Sequence, residues 1–259
     1  MEIRTKGLIE ELTKHEDAHL IVLQEVTQNI YETLLKQAFI RKFHVVTIDP
    51  SFGPCFIPYG NVILSKFPFI ERPELCLYDI TKKTFLSAKI MLNGRKCSIF
   101  ALHLKAGSFK TDGELRKKQL EFLISLQKEF ACEEMLMIGD FNYRESEGEE
   151  DSIEGYKDFW LEVNKDPEQK CWTFDEFENK MANNIAVTKF DLKKKDPNLV
   201  HKLEQRRYDR LFYSSDYWIP QNLSIIAKQK LDTIMVEQNP TDIFISDHFG
   251  VSFVFKSSK

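Results

Sequence analysis

The chain has 259 residues, a formal net charge of −4 and an apolar fraction of 42%. That is enough apolar material for one sizeable core, and so mild a charge excludes a protein held to nucleic acid by its global field; an anionic substrate must be drawn in locally or through a bound cation. The polar first twenty residues form no signal peptide and no apolar run reaches the roughly 18 residues that span a bilayer, so an intracellular protein, cytoplasmic or nuclear, with no membrane partner is expected.

In chain order, Leu8, Ile9 and Leu12 predict a helix over 6–15, and the continuous apolar run before Gln24-Glu25 predicts a buried strand over 19–26. Ile30, Leu34 and Leu35 return to helical spacing over 27–38. Strands are predicted over 43–48 and over 59–66, the latter stopped by Pro68. Residues 85–92 and 96–104 flank Asn93-Gly94, a strong short hairpin signal. An amphipathic helix follows over 112–130, then a short apolar strand over 135–138 that runs into Gly139-Asp140. Strands over 208–212 and 250–255 close the series. The acidic run Glu145 to Asp151 and the basic run Lys189 to Arg207 read as long surface loops, a place where function often sits. The five cysteines, Cys55, Cys76, Cys97, Cys132 and Cys171, form no C-x-x-C pair and predict neither a disulfide framework nor a metal cluster. Strict alternation of strand and helix fails in the middle third, which favours two packed sheets with helices outside, all in one domain over 1–259.

Three short polar motifs end or follow apolar runs. Glu25 falls at the carboxyl end of its strand, where a carboxylate is a hard oxygen ligand suited to Mg²⁺. Asp140 and Asn142 lie two apart after Gly139, so on an extended segment both side chains would address one atom. Asp140 could accept a proton from, or orient, a water; Asn142 could donate to a phosphoryl oxygen. Asp247 and His248 precede the final strand, with Asp209 as the carboxylate that would orient His248. His103, at the end of the 96–104 strand, is a second imidazole.

Taken in order, these motifs resemble those of the endonuclease/exonuclease/phosphatase superfamily: a Q-E pair (Gln24-Glu25), an H-L strand end (His103-Leu104), G-D-x-N (Gly139 to Asn142), a D-R strand (Asp209-Arg210) and S-D-H (Ser246 to His248). Trp172-Thr173-Phe174-Asp175 and Arg207-Tyr208-Asp209-Arg210-Leu211-Phe212 resemble segments of its 5′-tyrosyl-DNA phosphodiesterase branch. The resemblance implies an α/β fold, a four-layer α/β/β/α sandwich of two mixed sheets with outer helices. It also implies one Mg²⁺ or Mn²⁺ and hydrolysis of a phosphodiester by activated water, on a nucleic-acid end or a tyrosyl-DNA adduct. Glu25 and Asp247 would serve the metal, Asp140 and Asn142 the water and scissile phosphate, and His103 the phosphate. His248, held by Asp209, would stabilise the transition state. Thr173, Phe174, Arg207 and Arg210 would bind substrate, and the protein would act as a monomer.

Two departures carry expectations. The family's usual first strand, which bears W-N, has no counterpart before the strand of Glu25, so either the sequence is an incomplete form or the sheet lacks a central strand, and the chain as given should have weakened stability and metal affinity. The stretch from Phe174 to Tyr208 is longer than usual, and its Lys189, Lys193, Lys194, Lys195, Lys202, Arg206 and Arg207 would clamp nucleic-acid phosphates. The competing readings are a lipid or inositol head-group hydrolase, and a nucleic-acid-binding relative without turnover.

Overall fold

The computed structural model describes residues 2–46, 59–71, 73–78, 83–130, 134–144, 153–166, 168–183, 203–236 and 239–258. Helix α1 (Glu2–Lys14) leads to β1 (Leu20–Val26), α2 (Gln28–Leu35), β2 (His44–Val46) and β3 (Gly60–Ser65). Thr27 caps α2 by accepting the Ile30 amide, which satisfies one of the free N–H groups of the first turn. Strands β4 (Glu74–Tyr78), β5 (Lys83–Leu92) and β6 (Arg95–His103) follow, then α3 (Lys110–Phe130) and β7 (Glu134–Asp140). The turn between β5 and β6 has positive φ at both Asn93 and Gly94, the left-handed pair that a two-residue hairpin requires. Next come β8 (Lys157–Asp158), α4 (Phe159–Val163), β9 (Phe174–Asp175), α5 (Lys180–Asn183), β10 (Gln205–Arg206) and β11 (Asp209–Tyr213). The chain ends with β12 (Trp218–Ile226), β13 (Asp232–Val236), β14 (Asn239–Ile243) and β15 (Gly250–Ser257).

One sheet has the order β4-β5-β6-β7-β11-β8, with β6 and β7 parallel and the other pairs antiparallel. One apolar cluster, with Phe100, Leu102, Phe141 and Phe212, lies between this sheet and Leu120 and Leu123 of α3. On the opposite face, Ile90, Ile99, Leu136 and Leu211 meet Leu20 and Val22 of β1 and Phe253 and Phe255 of β15. A third cluster joins Val62 and Leu64 of β3 to Leu12 of α1 and Leu34 of α2. Three apolar clusters between successive layers make the four-layer α/β/β/α sandwich that the motif series implies.

Among the described residues the second β layer consists of two antiparallel ladders, β1-β3-β2 and β12-β15, with no pairing between them. Side chains of β1 alternate between two clusters, Leu20 and Val22 to one and Ile21 and Leu23 to the other. Yet all four stay only partly buried, because no described strand pairs with the outer edge of β1. The same holds for the edge of β15 away from β12. Helix α1 bridges the two ladders: Glu11 accepts from the Ala227 amide at 3.2 Å, and Arg4 Nε donates to the Ile245 carbonyl at 2.9 Å. Among the described residues the edge of β1 away from β3 has no partner strand.

Strand β12 and the β13–β14 hairpin escape the sequence pattern. Pro220 sits within β12, and the chain tolerates it because β12 is an edge strand with a register shift between Pro220 and Asn222. Cys97 and Cys171 are buried free thiols. Cys55 and Cys132 lie outside the described residues, as do the acidic run 145–151 and Lys189 to Lys202 of the proposed clamp.

Candidate active site

Strand register alone assembles the centre of the site. Asp140, the last residue of β7, stands opposite His103 of β6 on one side and Asp209 of β11 on the other. Directly paired residues on neighbouring strands project to the same face, so three polar side chains form a row across one sheet end. Gly139 makes that row possible. Its φ is +144°, and a Cβ there would fall on the Leu102 carbonyl oxygen. Only glycine accommodates both the conformation and the close approach.

Asp140 and Asn142 meet through a turn and not through an extended segment. Asn142 has φ +51°, a left-handed value that Asn tolerates better than most residues. Its amide and its Nδ2 donate to the two oxygens of Asp140, each at 2.8 Å. Its Nδ2 also lies 3.3 Å from the Leu104 carbonyl.

His103 lies 3.6 Å from Asp140 through Nε2 and 3.8 Å from Glu25 through Nδ1. It is 6% exposed, so it links two acids from within the wall of the site. Glu25 reaches it because the β1–β3 ladder breaks register between Leu23 and Val26 and Glu25 adopts φ +55°. A bulge of this kind re-aims a side chain, and here it turns the carboxylate outward with 53% of the side chain exposed. Tyr59, which the motif series does not include, stacks on His103 with centroids 5.8 Å apart. Burial, then the charge and hydrogen bond of Glu25 and the charge of Asp140, raise its phenol pKa and keep it a donor. The sequence signal is its place directly before the Gly60 strand.

His248 Nδ1 lies 2.8 Å from Asp209 Oδ2. Burial alone would lower the imidazole pKa. The Asp209 carboxylate outweighs it through charge and hydrogen bond, with further help from Asp140 and Asp247, and pushes the value up to about 10. Conversely, burial would raise the Asp209 pKa, but His248, then Thr173 and His103, hold it below the usual range. The pair is thus carboxylate and imidazolium at neutral pH, with Nε2 left as a charged donor. Phe174 and Tyr208 enclose the imidazole, at ring centroid distances of 5.2 and 5.8 Å. Asp247 accepts from the Ser246 hydroxyl at 3.2 Å.

Three predicted substrate contacts have other surroundings. Thr173 is fully buried, so it does not line a groove. Its hydroxyl oxygen accepts from the Tyr208 and Asp209 amides at 3.0 Å each, and its carbonyl accepts from the Phe249 amide at 2.7 Å. It therefore ties the Asp209 and His248 segments together. Thr173→Val should leave two buried amides without an acceptor and cost about 1–3 kcal/mol, with Thr173→Ser near wild type in a thermal melt. Arg207 and Arg210 converge on Asp158, whose side chain is fully buried: Arg207 Nη1 reaches both its oxygens at 2.7 and 2.8 Å, and Arg210 Nη1 lies at 3.5 Å. Arg210 is 4% exposed. Side chains alternate along the β11 strand, so Arg210 faces away from the row that holds Asp209.

Among the described residues no three His, Cys, Asp or Glu side chains form a metal cluster. The donor set suits a hydrated Mg²⁺ or Mn²⁺, which takes one or two carboxylates and keeps several waters. Glu25, turned outward and exposed, and Asp247 are carboxylates that would serve such an ion.

This fold is that of the endonuclease/exonuclease/phosphatase proteins. No family model matches the chain, and no curated protein matches it in sequence. Solved structures do match it over nearly its whole length. A D. rerio TDP2 humanized by 14 mutations superposes with a TM-score of 0.72 at 22% identity, covering 98% of this chain and 92% of that one. D. rerio TDP2 complexed with a single-strand DNA product gives 0.70 at 22% identity, with the same coverage. An endonuclease/exonuclease/phosphatase family protein from Leptotrichia buccalis C-1013-b gives 0.60 at 14% identity, covering 98% and 92%.

Proposed function

We infer that the protein is a metal-dependent phosphodiesterase acting on nucleic-acid ends, with a 5′-tyrosyl-DNA adduct as the leading substrate. The observation that carries this reading is the row His103–Asp140–Asp209 across three adjacent strands, with Asn142 bonded to Asp140 and His248 to Asp209. The TDP2 likeness and the tyrosyl-DNA resemblance of residues 172–175 and 207–212 support the choice of substrate.

Asp140 accepts a proton from the attacking water, whose approach Asn142 helps to fix. His248 presents a charged Nε2–H to a phosphoryl oxygen, where negative charge grows in the transition state. A donor already in place in a partly dry site needs no reorganisation at that moment. Asp209 and Thr173 keep the imidazole oriented and charged. Glu25 and Asp247 would hold Mg²⁺, which when bound neutralises phosphate charge and polarises the ester.

EDTA should abolish hydrolysis of a generic phosphodiester, and Mg²⁺ should restore it. The open edge of β1 beside Glu25 predicts weak metal binding, with a dissociation constant on the order of 1 mM or above by titration calorimetry. Turnover that survives both EDTA and Asp140→Ala would overturn the mechanism; tight single-site Mg²⁺ binding would overturn the affinity claim. A panel of 5′-tyrosyl DNA, abasic DNA, poly(A) and inositol phosphate separates the substrate classes. Binding of single-stranded DNA without any turnover would favour a non-catalytic relative.

A further inference from the structure

A cavity of about 390 Å³ is lined in part by Arg206, Arg207 and Arg210. Its wall includes Trp160 of α4, Trp172, and the cations Lys165, Lys170 and Arg206. Its volume falls in the range of small-ligand sites. Arg207 and Arg210, which also line it, are held by the Asp158 carboxylate. Among the described residues Asp166 is the one acid in the lining. Glu204, 3.8 Å from Arg206, is already bound by Arg144 at 3.2 Å. Arg206 Nε is shielded from solvent and has no hydrogen-bond partner among the described residues. A buried donor in that condition is costly unless a ligand or water satisfies it.

The chemistry asks for a ligand that is both planar and anionic. Two indoles in the wall supply aromatic surface, and the lysines and Arg206 supply positive charge. An aromatic platform flanked by cations is how proteins hold a nucleotide irrespective of its base. The cavity wall and the reaction centre also share two short segments. Tyr143, in the wall, follows Asn142, and Arg207 lies two residues before Asp209.

We propose that this cavity is a nucleotide subsite, which stacks a base against Trp160 and Trp172 and binds its phosphate through Lys165, Lys170 and Arg206. The occupant is either a free mononucleotide or a nucleotide of a single strand whose end lies at the reaction centre. The subsite rests on its own residues and does not require turnover at His248.

The test uses the full chain in EDTA, followed by tryptophan fluorescence. Deoxyadenosine 5′-monophosphate should quench saturably and bind about tenfold tighter than deoxyadenosine or inorganic phosphate. Lys165→Glu/Lys170→Glu, two exposed positions that leave the core untouched, should weaken binding about tenfold, and Trp160→Leu should do the same. Neither change should alter hydrolysis of a small chromogenic diester with Mg²⁺, whereas His248→Ala should lower that hydrolysis about 10³-fold and leave nucleotide binding intact. A single-stranded tetranucleotide that binds tighter than the monophosphate assigns the site to a strand; equal affinity assigns it to a free nucleotide. The proposal fails if the lysine pair leaves affinity unchanged, if His248→Ala removes binding, or if phosphate alone binds as well as the nucleotide.

Discussion

His248→Ala should lower kcat/KM for a Mg²⁺-supported phosphodiester by about 10³-fold, within the 10²–10⁴ range of a positioned acid or base. The variant removes the charged donor that Asp209 holds against the reaction centre. The loss should fall mainly on kcat, because the charge it meets develops only in the transition state. A structural cost accompanies it. Asp209 keeps its bond from Thr173 but loses its cationic partner. Fully buried pairs cost about 3–5 kcal/mol when broken, but these side chains retain 22% and 18% exposure, so about 1–3 kcal/mol is expected. His248→Gln should recover part of the stability, since an amide can still donate to Asp209, and little of the rate. A fall in kcat/KM of less than about fivefold at a temperature where the variant is folded would remove His248 from the mechanism.

Gly139→Ala should be strongly destabilising. The added carbon meets backbone, the Leu102 carbonyl oxygen, which no rotamer change can move aside. The φ of +144° is a further penalty for any residue with a Cβ. Relief requires parting the β6–β7 ladder where His103 faces Asp140. Strain of about 3 kcal/mol or more follows, and in a chain of this size that lowers Tm by roughly 6–12 °C. Activity should fall with it, because the two side chains move apart. Calorimetry or a thermal melt decides the matter; a Tm within about 2 °C of wild type would mean that the ladder gives way without strain.

Much of this was legible in the chain. The strong local signals named their elements: the apolar run before Gln24-Glu25, Asn93-Gly94, the amphipathic period of 112–130, and the strand entering Gly139-Asp140. Each element is set by neighbours a few residues away, which is the range over which periodicity and turn chemistry act. Strand β12 was illegible because Pro220 masks it, and the tolerance of that proline depends on an edge position that only pairing reveals. Glu25, Asp140, Asn142, His103, Asp209 and His248 could be named as polar residues at strand ends.

Their roles could not be assigned in the same way, because roles depend on register and burial. The sequence placed Thr173, Arg207 and Arg210 at a substrate. Packing instead put Thr173 behind Asp209 and gave both arginines to Asp158, itself an unremarked residue 49 positions before Arg207. Tyr59 entered the site only because its strand brings it over His103. Residue types and their order thus determined which chemistry the chain is able to carry. Whether a given side chain meets phosphate, a neighbouring acid or the core was decided by the pairing of β6, β7 and β11, contacts between residues tens of positions apart that no local pattern encodes.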